Sequence, residues 1–153
     1  MKIFKLSVLF ILINFSALAL GSWLMNNGSS SFWYENLQRA PWEPQGWVFG
    51  VAWTTIMICF SVYMAYLFIE ISNSSLILLY LTQLVLNISW NYIFFNQHAI
   101  GYGLLCIIAL TKIVALFLIN YRKLLQFKSI LIVPYLLWLL IATSLNAYIF
   151  FYN

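Results

Sequence analysis

Long apolar runs separated by short polar connections set the pattern of this chain. Five runs reach the roughly 20 residues that a helix needs to cross a bilayer, at about residues 3–25, 47–69, 76–95, 100–121 and 129–152. Only the first connection, residues 26–46, is long, and it holds two of the three acidic residues. The pattern predicts an all-α integral membrane bundle of five transmembrane helices that forms a single domain over residues 1–153.

The composition excludes a soluble protein. Hydrophobic residues make up 65% of the 153 positions and charged residues only 7%, and the mean hydropathy is +0.95. One soluble core of this size cannot bury so much apolar surface. The N-terminus also has features typical of a cleaved signal peptide: two basic residues, Lys2 and Lys5, an apolar stretch and the small residues 16–21. The first run continues to Met25, however, which favours an uncleaved first helix.

Basic residues are distributed unevenly between the two sides of the predicted bundle. The N-terminus and the second and fourth connections hold Lys2, Lys5, Arg122, Lys123 and Lys128, and the opposite side holds Arg39. The positive-inside rule therefore predicts a cytoplasmic N-terminus. The net charge of +4 then reflects topology and contact with membrane lipid, and no basic extramembrane patch indicates nucleic acid as a partner. No Arg-rich transit segment precedes the first run, so a bacterial cytoplasmic membrane is the predicted location.

The chain lacks the residue patterns of hydrolytic, phosphoryl-transfer or metal chemistry. Cys59 and Cys106 lie inside predicted helices and give neither a disulfide framework nor a metal site. No metalloprotease motif, phosphate-binding loop or catalytic triad is present. His98 could ligate a haem iron, but a solvated histidine in a tight connection is the favoured interpretation. We therefore predict no catalytic and no metal-binding residues from these patterns.

Three predicted helices carry polar and aromatic residues at helical spacing, which places them on one face of each helix. The stripes are Trp47, Gly50, Trp53 and Thr54; Gln83, Asn87, Trp90, Asn91 and Phe94; and Tyr135, Trp138, Ala142 and Asn146. Polar groups in spans should face the bundle interior because lipid offers them no partners. Two interpretations stay open: helix-packing contacts, or a pocket for a large, flat, mostly apolar ligand oriented by groups such as the Asn87 amide and the Trp47 indole.

Three separated blocks carry a resemblance to a known family. They are residues 41–54, beginning Pro41-Trp42-Glu43-Pro44; residues 83–90 with Phe94-Phe95; and residues 134–138 with 142–146. In order and spacing the chain resembles the TspO/MBR family, also called tryptophan-rich sensory proteins, translocator proteins or peripheral benzodiazepine receptors. The resemblance implies a five-helix bundle whose pocket is closed by residues 26–46, which we call the lid. It also implies porphyrin or haem as a ligand, with no obligatory cofactor, and sterols or benzodiazepine-type drugs in animal members.

The stripes and the matching blocks together predict the ligand-binding residues. They are Pro41, Trp42, Trp47, Phe49, Trp53, Asn87, Trp90, Phe94, Cys106, Tyr135, Trp138, Ala142 and Asn146. We favour a membrane receptor or sensor for tetrapyrroles. The alternatives are a tetrapyrrole or sterol transporter and an enzyme for light-dependent porphyrin breakdown, in which the resemblance would assign Trp47 and Trp138 a chemical role. Homodimerisation is a further expectation from the family.

Three features depart from the family pattern or from a simple membrane span. Arg39-Ala40-Pro41 and Pro44-Gln45 replace the usual Lys-Pro and double proline of the lid, which predicts a looser cap. The C-terminal residues lack the tyrosine followed by a basic residue that sterol binding requires in animal members. Lys112 lies near the middle of the fourth run, about 15 Å from either end. A buried charge there is costly, so a wet crevice, a helix partner or a porphyrin propionate is its expected neighbour.

Overall fold

The structure is a computed structural model that describes all residues, 1–153, and all of its secondary structure is helical. Its α-helices are α1 (Lys2–Leu24), α2 (Phe32–Glu35), α3 (Gly46–Glu70), α4 (Ser74–Asn91), α5 (Ile100–Leu125) and α6 (Val133–Tyr152). The helical segments long and apolar enough to cross a membrane are Lys2–Ser30, Gly46–Glu70, Ser74–Asn96 and Ile100–Tyr152. The last of these contains both α5 and α6. Five long helices therefore form the predicted membrane bundle, and α2 is a single turn within the lid.

Helix α1 is an integral part of the bundle, because a buried polar cluster joins it to α3 and α4. The Asn14 side chain is 1% exposed; its Nδ2 donates to Ser61 Oγ at 2.8 Å, and its Oδ1 accepts from the Tyr80 hydroxyl at 2.9 Å. Each of these buried polar atoms thereby has a partner, as an apolar interior requires. Phe10 adds edge-on contacts to Phe68 and Tyr80 at 5.0 and 5.3 Å. These contacts pack α1 against α3 and α4.

A sharp break separates α5 from α6. Gln126 ends α5 with a φ of +49°, and a 3₁₀ segment, Gln126–Ile132, follows before α6 begins at Val133. The predicted last helix therefore starts four residues later than expected, and α5 extends four residues beyond the expected position 121. Pro134 lies in the first turn of α6, where its missing N–H leaves no helical hydrogen bond unmade.

Helix α4 continues into one turn of π-helix, Tyr92–Asn96. The Gln97 N–H donates to the Tyr92 carbonyl at 3.0 Å, five residues back. The wider turn brings two consecutive aromatic side chains toward the interior, Phe94 and Phe95, which contact each other edge-on at 4.9 Å. Gly103 of α5 packs against this turn so closely that a Cβ would lie 2.9 Å from the Phe94 ring. Glycine at this position is what permits the approach of α5.

The end of the bundle away from the lid is tightly packed, and we call it the closed end. Phe60, Tyr63, Leu67, Phe117 and Ile132 have no exposed surface there. The Tyr63 hydroxyl donates to the Phe117 carbonyl at 3.0 Å, so this buried polar atom is paired. The ring of Phe117 contacts Phe60 edge-on at 5.6 Å. The basic residues of the N-terminus and of the α5–α6 connection surround this end, with Lys128 Nζ 4.4 Å from the Tyr66 ring centroid.

Candidate ligand-binding cavity beneath the lid

The first half of the lid folds into two short helical turns. It contains a 3₁₀ turn, Gly28–Ser30, and helix α2. Ser31 precedes α2, and its Oγ accepts the Tyr34 N–H at 3.2 Å, which is the preferred chemistry of a helix N-cap. Trp33 of α2 stacks on His98 with ring centroids 4.1 Å apart. His98 is thus an exposed side chain that supports the lid, consistent with the favoured interpretation from the sequence.

The second half of the lid is attached to α6. The backbone N–H of Gln38 donates to Asn153 Oδ1 at 2.8 Å, and Asn153 Nδ2 donates to the Gln38 carbonyl at 3.2 Å. The Trp42 indole donates to Ser144 Oγ at 3.2 Å and packs edge-on against Tyr148 at 5.4 Å. The predicted lid residues Pro41 and Trp42 are themselves exposed. Trp42 fastens the lid to α6, and neither Pro41 nor Trp42 lines the cavity below it.

A cavity of about 750 Å³ lies between the lid, the first two turns of α3 and the C-terminal part of α4. This volume falls within the range of roughly 300–1,000 Å³ typical of small-molecule sites. Its lining combines aromatic, amide and charged side chains with lid backbone: Met25, Ser29, Tyr34, Glu35, Leu37, Arg39, Ala40, Glu43, Pro44, Gln45, Gly46, Phe49, Trp53, Trp90, Asn91 and Phe95. Of the predicted ligand-binding residues, the cavity therefore brings together Phe49, Trp53 and Trp90.

Three other predicted residues form a second layer directly behind these aromatic walls. Trp138 contacts Phe49 edge-on at 5.2 Å, and Tyr135 contacts Trp53 edge-on at 6.0 Å. Phe94 stacks on Trp90 at 6.0 Å with an interplanar angle of 14°. Edge-to-face and offset contacts at such distances are favourable for aromatic rings. The stripes of α4 and α6 thus face the interior as predicted, but α6 supports the cavity instead of lining it.

Hydrogen bonds join the stripe of α4 to that of α6: Gln83 Nε2 donates to the Tyr135 hydroxyl at 2.7 Å. The Trp90 indole donates to Asn146 Oδ1 at 3.3 Å, and Asn146 Nδ2 donates to the Ala142 carbonyl at 3.1 Å. The Cys106 thiol donates to the Leu86 carbonyl at 3.5 Å. The bonds between different helices therefore act as helix-packing contacts in this structure, which was one of the two interpretations left open. Asn87 is 3% exposed, and it too lies outside the cavity lining.

The predicted stripe on α3 differs from the observed one. Trp47 is 67% exposed, and its indole donates to Gln45 Oε1 at 2.9 Å, while Gly50 and Thr54 are also exposed. The reason is helical geometry: six positions separate Trp47 from Trp53, which places them about 120° apart around the axis. The interior stripe runs instead through Phe49, Trp53, Ile56 and Phe60. Trp53, rather than Trp47, is the tryptophan of α3 that faces the cavity.

A small charge cluster lies at the mouth of the cavity. The Tyr34 hydroxyl donates to Glu43 Oε1 at 3.0 Å, and Arg39 Nη1 lies 3.5 Å from the same oxygen. The Arg39 guanidinium also stands over the Tyr34 ring, 5.7 Å from its centroid. Burial, followed by the Glu43 carboxylate, raises the pKa of the Tyr34 phenol well above its ordinary value. Tyr34 is therefore a neutral hydrogen-bond donor at physiological pH.

Lys112 does not have the surroundings expected from the sequence. It lies on the exposed outer face of α5, away from the residues that line the cavity, and no carboxylate of the chain pairs with it. The acidic residues of the chain are Glu35 and Glu43 in the lid and Glu70 at the end of α3. The suggested contact with a ligand propionate inside the bundle is therefore wrong for this position. The cation that does line the cavity is Arg39.

Several cavity residues escaped the sequence analysis. Tyr34, Arg39 and Glu43 lie in the lid, where no helical period orders the side chains, and Phe95 enters only because of the π-helical turn. Asn91 was recognised as part of the α4 stripe but not as a ligand-binding residue. The one available signal was the spacing of Arg39 and Glu43, four residues apart in a polar segment next to the tryptophans.

Comparison with known proteins identifies the chain's relatives. A model of the TspO/MBR family matches residues 9–152. The chain belongs to the TspO/MBR family. It is 33% identical over 115 residues to the tryptophan-rich sensory protein of Cereibacter sphaeroides, covering 74% of this chain and 72% of that protein. It is 33% identical over 126 residues to the tryptophan-rich protein TspO of Archaeoglobus fulgidus, covering 79% and 80%.

A vertebrate relative extends the same similarity. The translocator protein of Homo sapiens is 32% identical over 127 residues, covering 78% of this chain and 74% of that protein. Membership of the TspO/MBR family, together with the apolar helices of the structure, makes this a multi-pass membrane protein. The matched residues, 9–152, include the lid and the parts of α3 and α4 that line the cavity.

Proposed function

We propose that this TspO/MBR protein is a membrane receptor or sensor that binds a tetrapyrrole, a porphyrin or haem, in the cavity beneath the lid. The observation that carries the proposal is the cavity wall, in which Phe49, Trp53, Trp90 and Phe95 converge on a volume of about 750 Å³. A planar macrocycle offers two apolar faces, and aromatic side chains provide favourable offset or edge contacts to such faces. A relative named tryptophan-rich sensory protein supports the sensing role.

Two observations favour binding over porphyrin breakdown. Neither Trp47 nor Trp138, which the family resemblance associates with breakdown, lines the cavity. The second-layer contacts of Trp138 and Tyr135 hold the walls in place, which is what a preformed binding site needs. For a receptor we expect saturable binding without ligand counterflow in proteoliposomes, whereas a transporter would show counterflow.

The proposed orientation follows from the charges. We propose that all five long helices cross a bacterial cytoplasmic membrane, with the closed end at the cytoplasm and the lid on the opposite side. Helix α5 alone has 26 residues and α6 has 20, so each is long enough to span. Accessibility of cysteines introduced at exposed Gln38 and Lys123 to a membrane-impermeant thiol reagent in intact cells tests this orientation. Labelling at position 123 but not at 38 would contradict it.

The binding experiment is a titration of the detergent-purified protein with protoporphyrin IX, followed through the absorbance of the porphyrin itself. Trp53→Leu removes an aromatic wall, and we expect the Kd to rise at least about tenfold. The matched control is Trp23→Leu, because Trp23 lies on α1 and is 75% exposed. Non-saturable uptake, or equal affinities for Trp53→Leu and the control, would indicate partitioning into detergent and refute the proposal.

A further inference from the structure

Arg39 is the one lysine or arginine whose side chain reaches the cavity. The chain has seven such residues. Five of them, in the N-terminal turn, at the end of α5 and at Lys128, lie at the closed end, and Lys112 lies on the outer face of α5. Any anionic group on a ligand beneath the lid therefore has Arg39 as its cationic partner. His98 does not offer an alternative, since it stacks on Trp33 outside the cavity lining.

The contacts of Arg39 leave most of its hydrogen-bonding capacity unused. A guanidinium has five N–H donors in a planar fork that matches a carboxylate. Its recorded hydrogen bond joins Nη1 to Glu43 Oε1 at 3.5 Å, which is the outer limit for such a bond. That oxygen already accepts the Tyr34 hydroxyl at the shorter distance of 3.0 Å. Glu43 thus partly neutralises the charge of Arg39, but it makes no two-pronged contact with the guanidinium N–H groups.

Arg39 and Glu43 differ in how far their side chains are buried. The Glu43 side chain is 14% exposed, whereas that of Arg39 is 45% exposed. The Tyr34 hydroxyl donates to the Glu43 carboxylate, so Glu43 keeps a hydrogen-bond partner if Arg39 turns away. Arg39 can therefore exchange its weak contact with Glu43 for a two-pronged contact to a ligand carboxylate. Charge-assisted pairs of that kind are shorter and stronger than the contact they would replace.

From this geometry we propose that Arg39 selects ligands that carry a carboxylate on an apolar planar body, by binding the carboxylate at the cavity mouth while the aromatic walls hold the ring. Glu43 opposes this by competing for the guanidinium and by repelling the incoming anion. The inference rests on the proposed tetrapyrrole site and adds the chemical class that the site prefers. It assigns to Arg39 the role that the sequence suggested for Lys112.

The test compares protoporphyrin IX, a dicarboxylic acid, with its dimethyl ester, which keeps the ring but carries no charge. For Arg39→Gln we expect affinity for the acid to fall about tenfold and affinity for the ester to stay within twofold of wild type. For Glu43→Gln we expect affinity for the acid to rise several-fold, because the amide oxygen can still accept from Tyr34 while the charge is gone. The loss in Arg39→Gln should shrink in high salt, since exposed charges are screened.

Matched controls carry the same chemical changes at the closed end. Arg122→Gln and Glu70→Gln alter exposed residues far from the cavity and should leave both affinities unchanged. An acid-to-ester affinity ratio that is unaltered in Arg39→Gln would overturn the inference. If neither affinity changes, Arg39 has no role in binding; if both fall equally, its role in the lid is structural. Failure of the proposed function is distinguishable, because then neither ligand binds saturably and Trp53→Leu changes neither curve.

Discussion

The two ends of this helical bundle differ in how completely their interiors are filled by side chains. At the closed end Phe60, Tyr63, Leu67 and Phe117 lose all contact with solvent. At the lid end, residues of the lid, α3 and α4 line a cavity of about 750 Å³. Interiors packed as densely as the closed end have few voids larger than a water molecule. The difference separates the residues that hold the bundle together from those available to bind a ligand.

The polar groups differ between the two ends in the same way. At the closed end the Tyr63 hydroxyl has a carbonyl partner, and in the middle layer Asn14 pairs with both Ser61 and Tyr80. At the lid end the Arg39 fork is largely unengaged. Buried polar groups need partners, whereas groups at a cavity can take them from a ligand. Substitutions at the closed end should therefore affect stability, and those at the lid end should affect binding.

The largest effect is expected from Phe117→Ala at the closed end. The Phe117 ring contacts Phe60 at 5.6 Å and Tyr63 at 6.3 Å, and it is fully buried. Removing it creates a cavity and should lower the free energy of unfolding by about 3–5 kcal/mol. Thermal unfolding in detergent measures this loss, with Phe127→Ala, which removes an 83% exposed ring, as the control. Equal melting temperatures for the two variants would contradict the proposed division between the ends.

A smaller loss is expected from Asn14→Ala in the middle layer. This change removes the partner of Tyr80 and one partner of Ser61, and a buried group left without a partner costs about 1–3 kcal/mol. The same unfolding assay measures it, with exposed Asn120→Ala of α5 as the control. The Kd for protoporphyrin IX should change less than the stability does. A variant as stable as the control would mean that α1 is held by its apolar contacts alone.

The contrast between the ends also explains what could be predicted from the sequence. The interior stripes on α4 and α6 were predictable, because Gln83, Asn87, Trp138 and Asn146 follow the helical period within uninterrupted helices, and all four are buried. The prediction of the interior face of α3 was wrong because Trp47 and Trp53, although both tryptophans, lie on different faces of that helix. Apolar periodicity gave no help there, since nearly every position of α3 is apolar.

The positions of the lid side chains could not be predicted from helical periodicity, for a different physical reason. These side chains are positioned by tertiary contacts, such as Trp33 with His98 and Trp42 with Ser144, and these join residues far apart in sequence. The π-helical turn that brings Phe95 to the cavity also has no sequence period of its own. Arg39 and Glu43 were therefore not predicted as binding residues, although they form the polar part of the site.

The smallest effect is expected from Lys112→Met, which sharpens the comparison by testing a charge outside both regions. Lys112 faces outward from α5, so its replacement should leave the Kd for protoporphyrin IX and for the dimethyl ester within twofold of wild type. Arg39→Gln, by contrast, should lower the affinity for the acid and leave the affinity for the ester unchanged. In bilayers the substitution should favour insertion of α5, because a lysine at mid-membrane costs roughly 2.5–3.5 kcal/mol.

Parallel titrations of Lys112→Met and Arg39→Gln with the acid and the ester check this expectation. The two residues differ in surroundings more than in charge: one has a cavity beside it and a carboxylate within 3.5 Å, and the other has neither. A weakened affinity for the acid in Lys112→Met would mean that the ligand carboxylate is bound at the outer face of α5. The cavity beneath the lid would then hold only the ring or no part of the ligand, and the assignment of binding to the lid end would fail.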